Sequence, residues 1–342
     1  MQLKTSLAIF TGLITGTILV TMSNSWLMAW MGLEMNTLAA LPIISKTKHP
    51  RAVEASTKYF ITQAIASCLL LFSSTTNAWY TGTWSITQMN NEYASILMML
   101  ALTMKAGTVP THFWLPEVMQ GSTMPTAMLI TTWQKIAPIS LMVSMSDKAP
   151  SNITLIIGLL STMFGGWGGM NQTQLRKMMA YSSISNMGWT VIILASQPKA
   201  AMTNILLYIT IIIPTMSMMK LASTKTLQNM MTTWSTSPTT AMMLTLALLS
   251  LSGLPPLTGF MPKLMILNEL VAQGLTPIAT TVLAISLLNL VFYLRTAYLT
   301  ALLNPPNSIM STMKWRQNIK TKAMMLTPTA LTTPMVLPAT MK

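Results

Sequence analysis

Apolar runs of about twenty residues, joined by short polar connections, recur along nearly the whole of this 342-residue chain. A bilayer core takes about 20 apolar residues per crossing helix. With 51% hydrophobic and 8% charged residues, an ordinary soluble domain and a disordered chain are both excluded. The pattern predicts an all-α polytopic membrane protein of about eleven transmembrane helices. They fall near 3–22, 25–45, 53–80, 94–118, 125–146, 151–170, 174–196, 200–222, 240–272, 276–301 and 323–341. The segment MQLKTSLAIFTGLITGTILV could mimic a signal peptide, but its apolar run is long and further spans follow at once, so it reads as the first helix.

The net charge of +14 is dispersed rather than clustered. Without a dense basic run interleaved with aromatics, nucleic-acid binding is not expected. Alternating the helices puts fourteen of the twenty Lys and Arg residues toward one side, among them Lys46, Lys48, Arg51, Arg176, Lys177 and Arg295. Only Lys148, Lys199 and Lys342 fall on the other. By the positive-inside rule the N-terminus faces the basic side and the C-terminus the opposite side.

Two of the expected helices contain breakers. The fourth reads LTMKAGTVPTHFWLP and the ninth SLSGLPPLTGFMPK. Proline removes a donor and clashes with the preceding turn, and free backbone groups at membrane depth are tolerated only inside protein or beside water. Both breaks occupy the fourth place in a block of five helices. The expected organisation is a single membrane domain: a first repeat over 1–148, an inverted second repeat over 149–301, then a loop and last helix over 302–342. Inverted repeats with paired discontinuous helices are a transporter architecture with a mid-membrane working site.

The chemistry is narrowed by what is scarce. Cys68 is the one cysteine, and His49 and His112 are the only histidines. An internal disulfide, a cysteine-ligated cluster and a multi-histidine metal site are therefore excluded. GGWGG at 165–169 ends an apolar helix rather than following a strand, so it reads as close packing and not a phosphate loop. No cofactor is expected on this chain.

Four charged residues remain inside apolar segments: Glu34, Lys105, Lys135 and Lys263. A charge at mid-bilayer costs roughly 2.5–3.5 kcal/mol on insertion scales, so such groups usually face a protein interior or a water path. Lys105 precedes the first break, where water and freed carbonyls could solvate it, and Glu34 is its natural counter-ion. Lys135 is read as mid-helix, too far from either end to snorkel. Lys263 follows the second break. His112, inside the first break, is a possible proton relay. The plainer alternative for Lys105 and Lys263 is a static ion pair, with Glu269 the candidate partner of Lys263; for His112 it is a hydrogen-bonded structural group. Glu92, Glu117 and Asp147 read as mostly solvated helix-end carboxylates.

Four segments carry a family resemblance: GLEMNTLAALPIIS at 32–45, KAGTVPTHFWLPEVMQG at 105–121, KMMAYSSISNMGW at 177–189 and LLSLSGLPPLTGFMPK at 248–263. With them the chain resembles the antiporter-like membrane subunits of respiratory complex I over essentially its whole length. The usual member has fourteen helices, and the resemblance implies that this chain lacks the first three. The resemblance implies proton transfer by Glu34 as a switch glutamate, Lys105 as its ion-pair lysine, Lys135 as a central relay and Lys263 in the second half-channel. It also implies that NADH, FMN, iron–sulfur clusters and ubiquinone are handled by other subunits. The implied partners are the other membrane subunits of the complex, including a neighbouring antiporter-like subunit, accessory subunits and membrane lipids. The implied location is the mitochondrial inner membrane, with the basic side and N-terminus in the matrix and the C-terminus in the intermembrane space. The 35 methionines fit the reassigned codons of an animal mitochondrial genome. Two rivals are a stand-alone cation/proton antiporter and a structural subunit with a non-conducting channel.

Overall fold

The computed structural model describes residues 3–302 apart from Pro256. Helices occupy each of the ten ranges expected there, and the eleventh, at 323–341, lies outside the described residues. The chain forms two compact units. One comprises residues up to Ser161 with Thr190–Ala201; the other comprises Thr162–Trp189 with residues from Met202 onward.

The first unit holds α1 (Leu3–Thr21), α2 (Trp26–Ile44), α3 (Pro50–Thr81), α4 (Glu92–Ala106), α5 (Trp114–Gly121), α6 (Met124–Thr131), α7 (Trp133–Ser144) and the start of α8 (Ser151–Met170). Gly16 and Gly32 let α1 and α2 approach closely: a Cβ on Gly32 would lie 2.7 Å from Val20 Cγ2 and 2.9 Å from the Gly16 carbonyl. Lipid tails are as apolar as leucine, so such close small-residue packing takes the place of a hydrophobic drive between helices. Helix α3 starts with Pro50 at N1, where no N–H is needed, behind His49, whose Nδ1 accepts from Arg51 N at 3.2 Å. Its 32 residues span roughly 48 Å. That exceeds the roughly 30 Å hydrocarbon core, so its ends reach the polar layers.

The expected helix at 125–146 is interrupted at Thr132, which separates α6 from α7. The Thr132 hydroxyl donates to the Met128 carbonyl at 2.7 Å, and Pro138 inside α7 supplies no N–H to the preceding turn. Lys135 therefore lies in the first turn of α7 rather than deep within one continuous helix.

The second unit holds the rest of α8, most of α9 (Leu175–Leu194) and α10 (Pro198–Leu221). It continues with α11 (Leu227–Met231), α12 (Thr233–Thr236), α13 (Pro238–Ser252), α14 (Phe260–Ala272) and α15 (Thr276–Thr300). The short α11 and α12 occupy a stretch that the sequence left as a loop.

Both expected breaks are present, and they share a device. Helix α4 ends at Gly107 with φ +78°, and α13 ends at Gly253 with φ +80°. Glycine takes this left-handed conformation without the Cβ clash that other residues meet.

Polarity is inverted relative to a water-soluble fold. Asn36, Gln63, Lys105 and Lys135 are buried, while Phe10, Ile61 and Phe72 are exposed. Among the described residues, helical stretches at Trp26–Thr47, Pro50–Thr81, Ser151–Met170, Pro198–Leu221 and Thr276–Thr300 are each long and apolar enough to cross a membrane.

Candidate functional site

In the first unit, Lys105 and Lys135 line one buried cavity. Lys105 comes from the last turn of α4, the negative end of that helix's dipole, which favours a cation. Lys135 comes from the first turn of α7. They are 5% and 3% exposed. The room for the centre of a water molecule is about 10 Å³, on the order of a single water. Asn36 and Thr37 of α2, Tyr59 and Gln63 of α3, and Gln134 of α7 complete the polar lining.

The lining is part satisfied and part open. Gln134 Nε2 donates to Asn36 Oδ1 at 3.1 Å across 98 residues of sequence. Gln63 Nε2 and Lys105 Nζ are buried without a hydrogen-bond partner among the described residues. An unsatisfied buried donor is costly, so these two donors mark where water would be held. The sequence analysis missed Asn36, Thr37, Tyr59 and Gln63. A signal existed for Gln63, which interrupts the apolar run of α3, and for Asn36, two residues after Glu34.

Glu34 is half-buried and lies outside the cavity lining. No ion pair joins it to Lys105 among the described residues. Thr37, which does line the cavity, donates to Glu34 Oε2 at 3.2 Å and to the Glu34 carbonyl at 2.9 Å. Thr37 thus stands between the carboxylate and the polar interior.

The walls are set by the break. Trp114 opens α5, donates its indole N–H to the Met104 carbonyl at 3.3 Å, and meets Tyr59 edge to face at 5.7 Å between ring centres. The Met104 carbonyl, which already accepts from Gly107 N at 3.2 Å, thereby gains a second donor at the end of α4. Helix α5 is held to α3 from its first turn: Lys58 Nζ lies 2.6 Å from Glu54 Oε1 and 2.6 Å from Glu117 Oε2. Glu117, expected to be mostly solvated, is half-exposed and paired. Gly121 sits against the Arg51 carbonyl, where a Cβ would come within 2.6 Å. His112 is buried within the break and stacks on Phe113 at 4.2 Å, but does not line the cavity.

In the second unit Lys263, in the first turn of α14, donates to the Ser252 carbonyl at 2.6 Å. That carbonyl is among those freed at the end of α13, so here an ammonium does what Trp114 does in the first unit. Lys263 also lies 5.8 Å from the Trp189 ring centre, within cation–π range. No ion pair to Glu269 forms among the described residues. Gly253 makes room for the lysine: a Cβ there would lie 2.7 Å from Lys263 Nζ.

Comparison with known proteins covers the same ground. Residues 23–289 match the family model described as NADH:quinone oxidoreductase/Mrp antiporter, transmembrane region, and residues 290–341 match NADH dehydrogenase subunit 2 C-terminus. NADH-ubiquinone oxidoreductase chain 2 of Varanus melinus is 50% identical over 332 residues, 97% of this chain and 96% of that protein. The protein of the same name from Salmo salar is 50% identical over 303 residues, 89% and 87% of the two chains. Among solved structures, a chain of respiratory complex I from Thermus thermophilus with bound aureothin aligns with a TM-score of 0.78 at 22% identity, covering 94% of this chain and 77% of that one. A chain of the Mrp complex from Dietzia sp. DQ12-45-1b aligns with a TM-score of 0.79 at 16% identity, covering 95% and 73%. At those identities the two alignments speak to fold alone.

Proposed function

The chain belongs to the NADH:quinone oxidoreductase/Mrp antiporter family, and from that premise we propose that it is a proton-translocating membrane subunit of mitochondrial NADH:ubiquinone reductase. Electron transfer from NADH to ubiquinone takes place in partner subunits, and this chain converts it into proton movement across the inner membrane. The observation that carries the reading is the cavity shared by the buried Lys105 and Lys135 and lined by Asn36, Gln63 and Gln134. A static role would call for the Lys105 ammonium to be closed by a carboxylate, and its Nζ has no such partner among the described residues.

In this mechanism Lys105 and Lys135 exchange a proton through one water held by Gln63 and Asn36. Glu34 acts on Lys105 at a distance, through the field and through Thr37, rather than by contact. Protonation of Glu34 or reorientation of Thr37 then alters the cost of charge on Lys105. Lys263 serves the second half-channel, its ammonium released from the Ser252 carbonyl when the proton leaves. His112 is a candidate relay at the edge of the first break. The energy scale is adequate: the membrane field is worth roughly 2.3 kcal/mol per charge per 100 mV, and tenfold in a proton equilibrium is about 1.4 kcal/mol.

The wider arrangement follows from the same premise. The two repeats are inverted, the basic side and the N-terminus face the matrix, and the C-terminus faces the intermembrane space. The partners are the other membrane subunits, including a neighbouring antiporter-like subunit, with accessory subunits around them. The test is proton pumping by the purified complex in proteoliposomes carrying Lys105→Met, Lys135→Met or Lys263→Met. Each is expected to assemble and to lose most NADH-driven acidification. Full pumping in all three would leave the chain a structural subunit, and ion exchange by the isolated chain in liposomes would make it a stand-alone antiporter.

A further inference from the structure

A groove of about 520 Å³ opens on the outside of the first unit, where the end of α2 meets the start of α3. It is shallow, and its lining is apolar from Leu41, Pro42, Phe60 and Ile61 and hydroxyl-bearing from Ser45, Ser56 and Thr57. Just beyond the rim the connection Lys46–Arg51 places Lys46, Lys48 and Arg51 within six residues, all exposed. None of the three has an ion pair among the described residues. The nearby carboxylate Glu54 is taken by Lys58.

We propose that this groove binds an anionic phospholipid, its phosphate held by Lys46, Lys48 and Arg51 and one acyl chain lying against Leu41, Phe60 and Ile61. The polarity sequence supports this occupant. From Arg51 to Ile61 the helix rises roughly 15 Å; over that length Arg51 comes first, the hydroxyls of Ser56 and Thr57 follow beside the mutually neutralised Glu54–Lys58 pair, and Phe60 and Ile61 come last. A phospholipid has the same order from phosphate through glycerol ester to chain. A protein segment seated there would have to present an acidic end and an apolar body in that same register.

The other donors near the phosphate position are already committed. Arg51 N donates to His49 Nδ1 at 3.2 Å, and Ala52 N and Val53 N donate to the His49 carbonyl at 2.8 and 3.1 Å. The Ser45 hydroxyl donates to the Leu41 carbonyl at 3.2 Å and the Ser56 hydroxyl to the Val53 carbonyl at 2.7 Å. Binding of an anion therefore rests on the three side-chain cations. Clustered cations next to a membrane helix are worth enough to favour anionic headgroups about fivefold each.

The experiment uses the intact complex, stripped of lipid in mild detergent and exposed to mixed micelles of phosphatidylglycerol or phosphatidylcholine with the same chains. Lipid retained per complex is counted by mass spectrometry. The wild type should retain phosphatidylglycerol over phosphatidylcholine. The triple variant K46Q/K48Q/R51Q should bind about a hundredfold more weakly at this site. Ile61→Trp, which fills the groove and leaves the charges alone, should also displace the lipid. If the triple variant fails to assemble, K48Q alone should show about a fivefold loss. Equal retention of both lipids, or retention unchanged by these variants, overturns the proposal. So does retention of neither lipid by the wild type, which would mean that a protein neighbour seals the groove.

Discussion

Replacing Lys135 by Met separates carrying a proton from filling space. The side chain is 3% exposed and faces a cavity with room for about one water. Methionine has nearly the same length and flexibility, so packing survives, and removing a charge from mid-membrane relieves roughly 2.5–3.5 kcal/mol of insertion cost. The complex should assemble at least as well as wild type. A proton crossing the cavity without Lys135 must then sit on water alone, in a site where a lysine charge already costs that much. At about 1.4 kcal/mol per tenfold in rate, NADH-driven acidification should slow by about a hundredfold. The assay is dye-reported acidification of proteoliposomes, run beside NADH:ubiquinone turnover under uncoupled conditions. Lys135→Arg is the discriminating control, because arginine holds its charge and cannot release the proton. Arg should restore any static electrostatic role but not pumping. Wild-type pumping in Lys135→Met, or rescue of pumping by Lys135→Arg, would refute the relay.

Three further outcomes can be checked. Gly253→Ala should lower stability by roughly 1–2 kcal/mol from the left-handed backbone alone, and displace Lys263 from the Ser252 carbonyl; thermal unfolding reads the first and pumping by the assembled complex the second. Gly121→Val should overpack the contact of α5 with the Arg51 carbonyl at a cost of about 1–3 kcal/mol, seen as reduced assembly on native gels. Lys58→Met and Glu117→Gln should be non-additive in a double-mutant cycle on the stability of the complex, since both remove one pair; simple additivity would show that the pair does not hold α5 to α3.

The Glu117 pairing shows where reading the chain stops. Its position near a helix end suggested solvent, yet α3 brings Lys58 to it. The same limit applies to Glu269, which local spacing offered to Lys263 and the fold does not. Glu34 was offered to Lys105 as its counter-ion, but no ion pair joins them among the described residues, and it is Thr37 that donates to the Glu34 carboxylate. Lys135 was recognised as buried, although the interruption at Thr132 was hidden because threonine is common inside apolar helices.

The sequence by itself determined the membrane class, the ten long helical ranges among the described residues, the two breaks and the identity of the misplaced charges. These are local matters: run length, proline and glycine at a break, and a lysine within an apolar segment. Only the tertiary structure decided that Lys105 and Lys135 share one cavity with Asn36, Gln63 and Tyr59. It also decided that a carbonyl near the end of each broken helix meets Trp114 in one unit and Lys263 in the other. The reason lies in the solvent. A water-soluble helix shows its inward face as an apolar stripe, whereas in lipid both faces are apolar and packing is set by small residues and polar contacts. The rotation of each helix, and with it the partner of each buried polar group, is therefore fixed by the assembled helices.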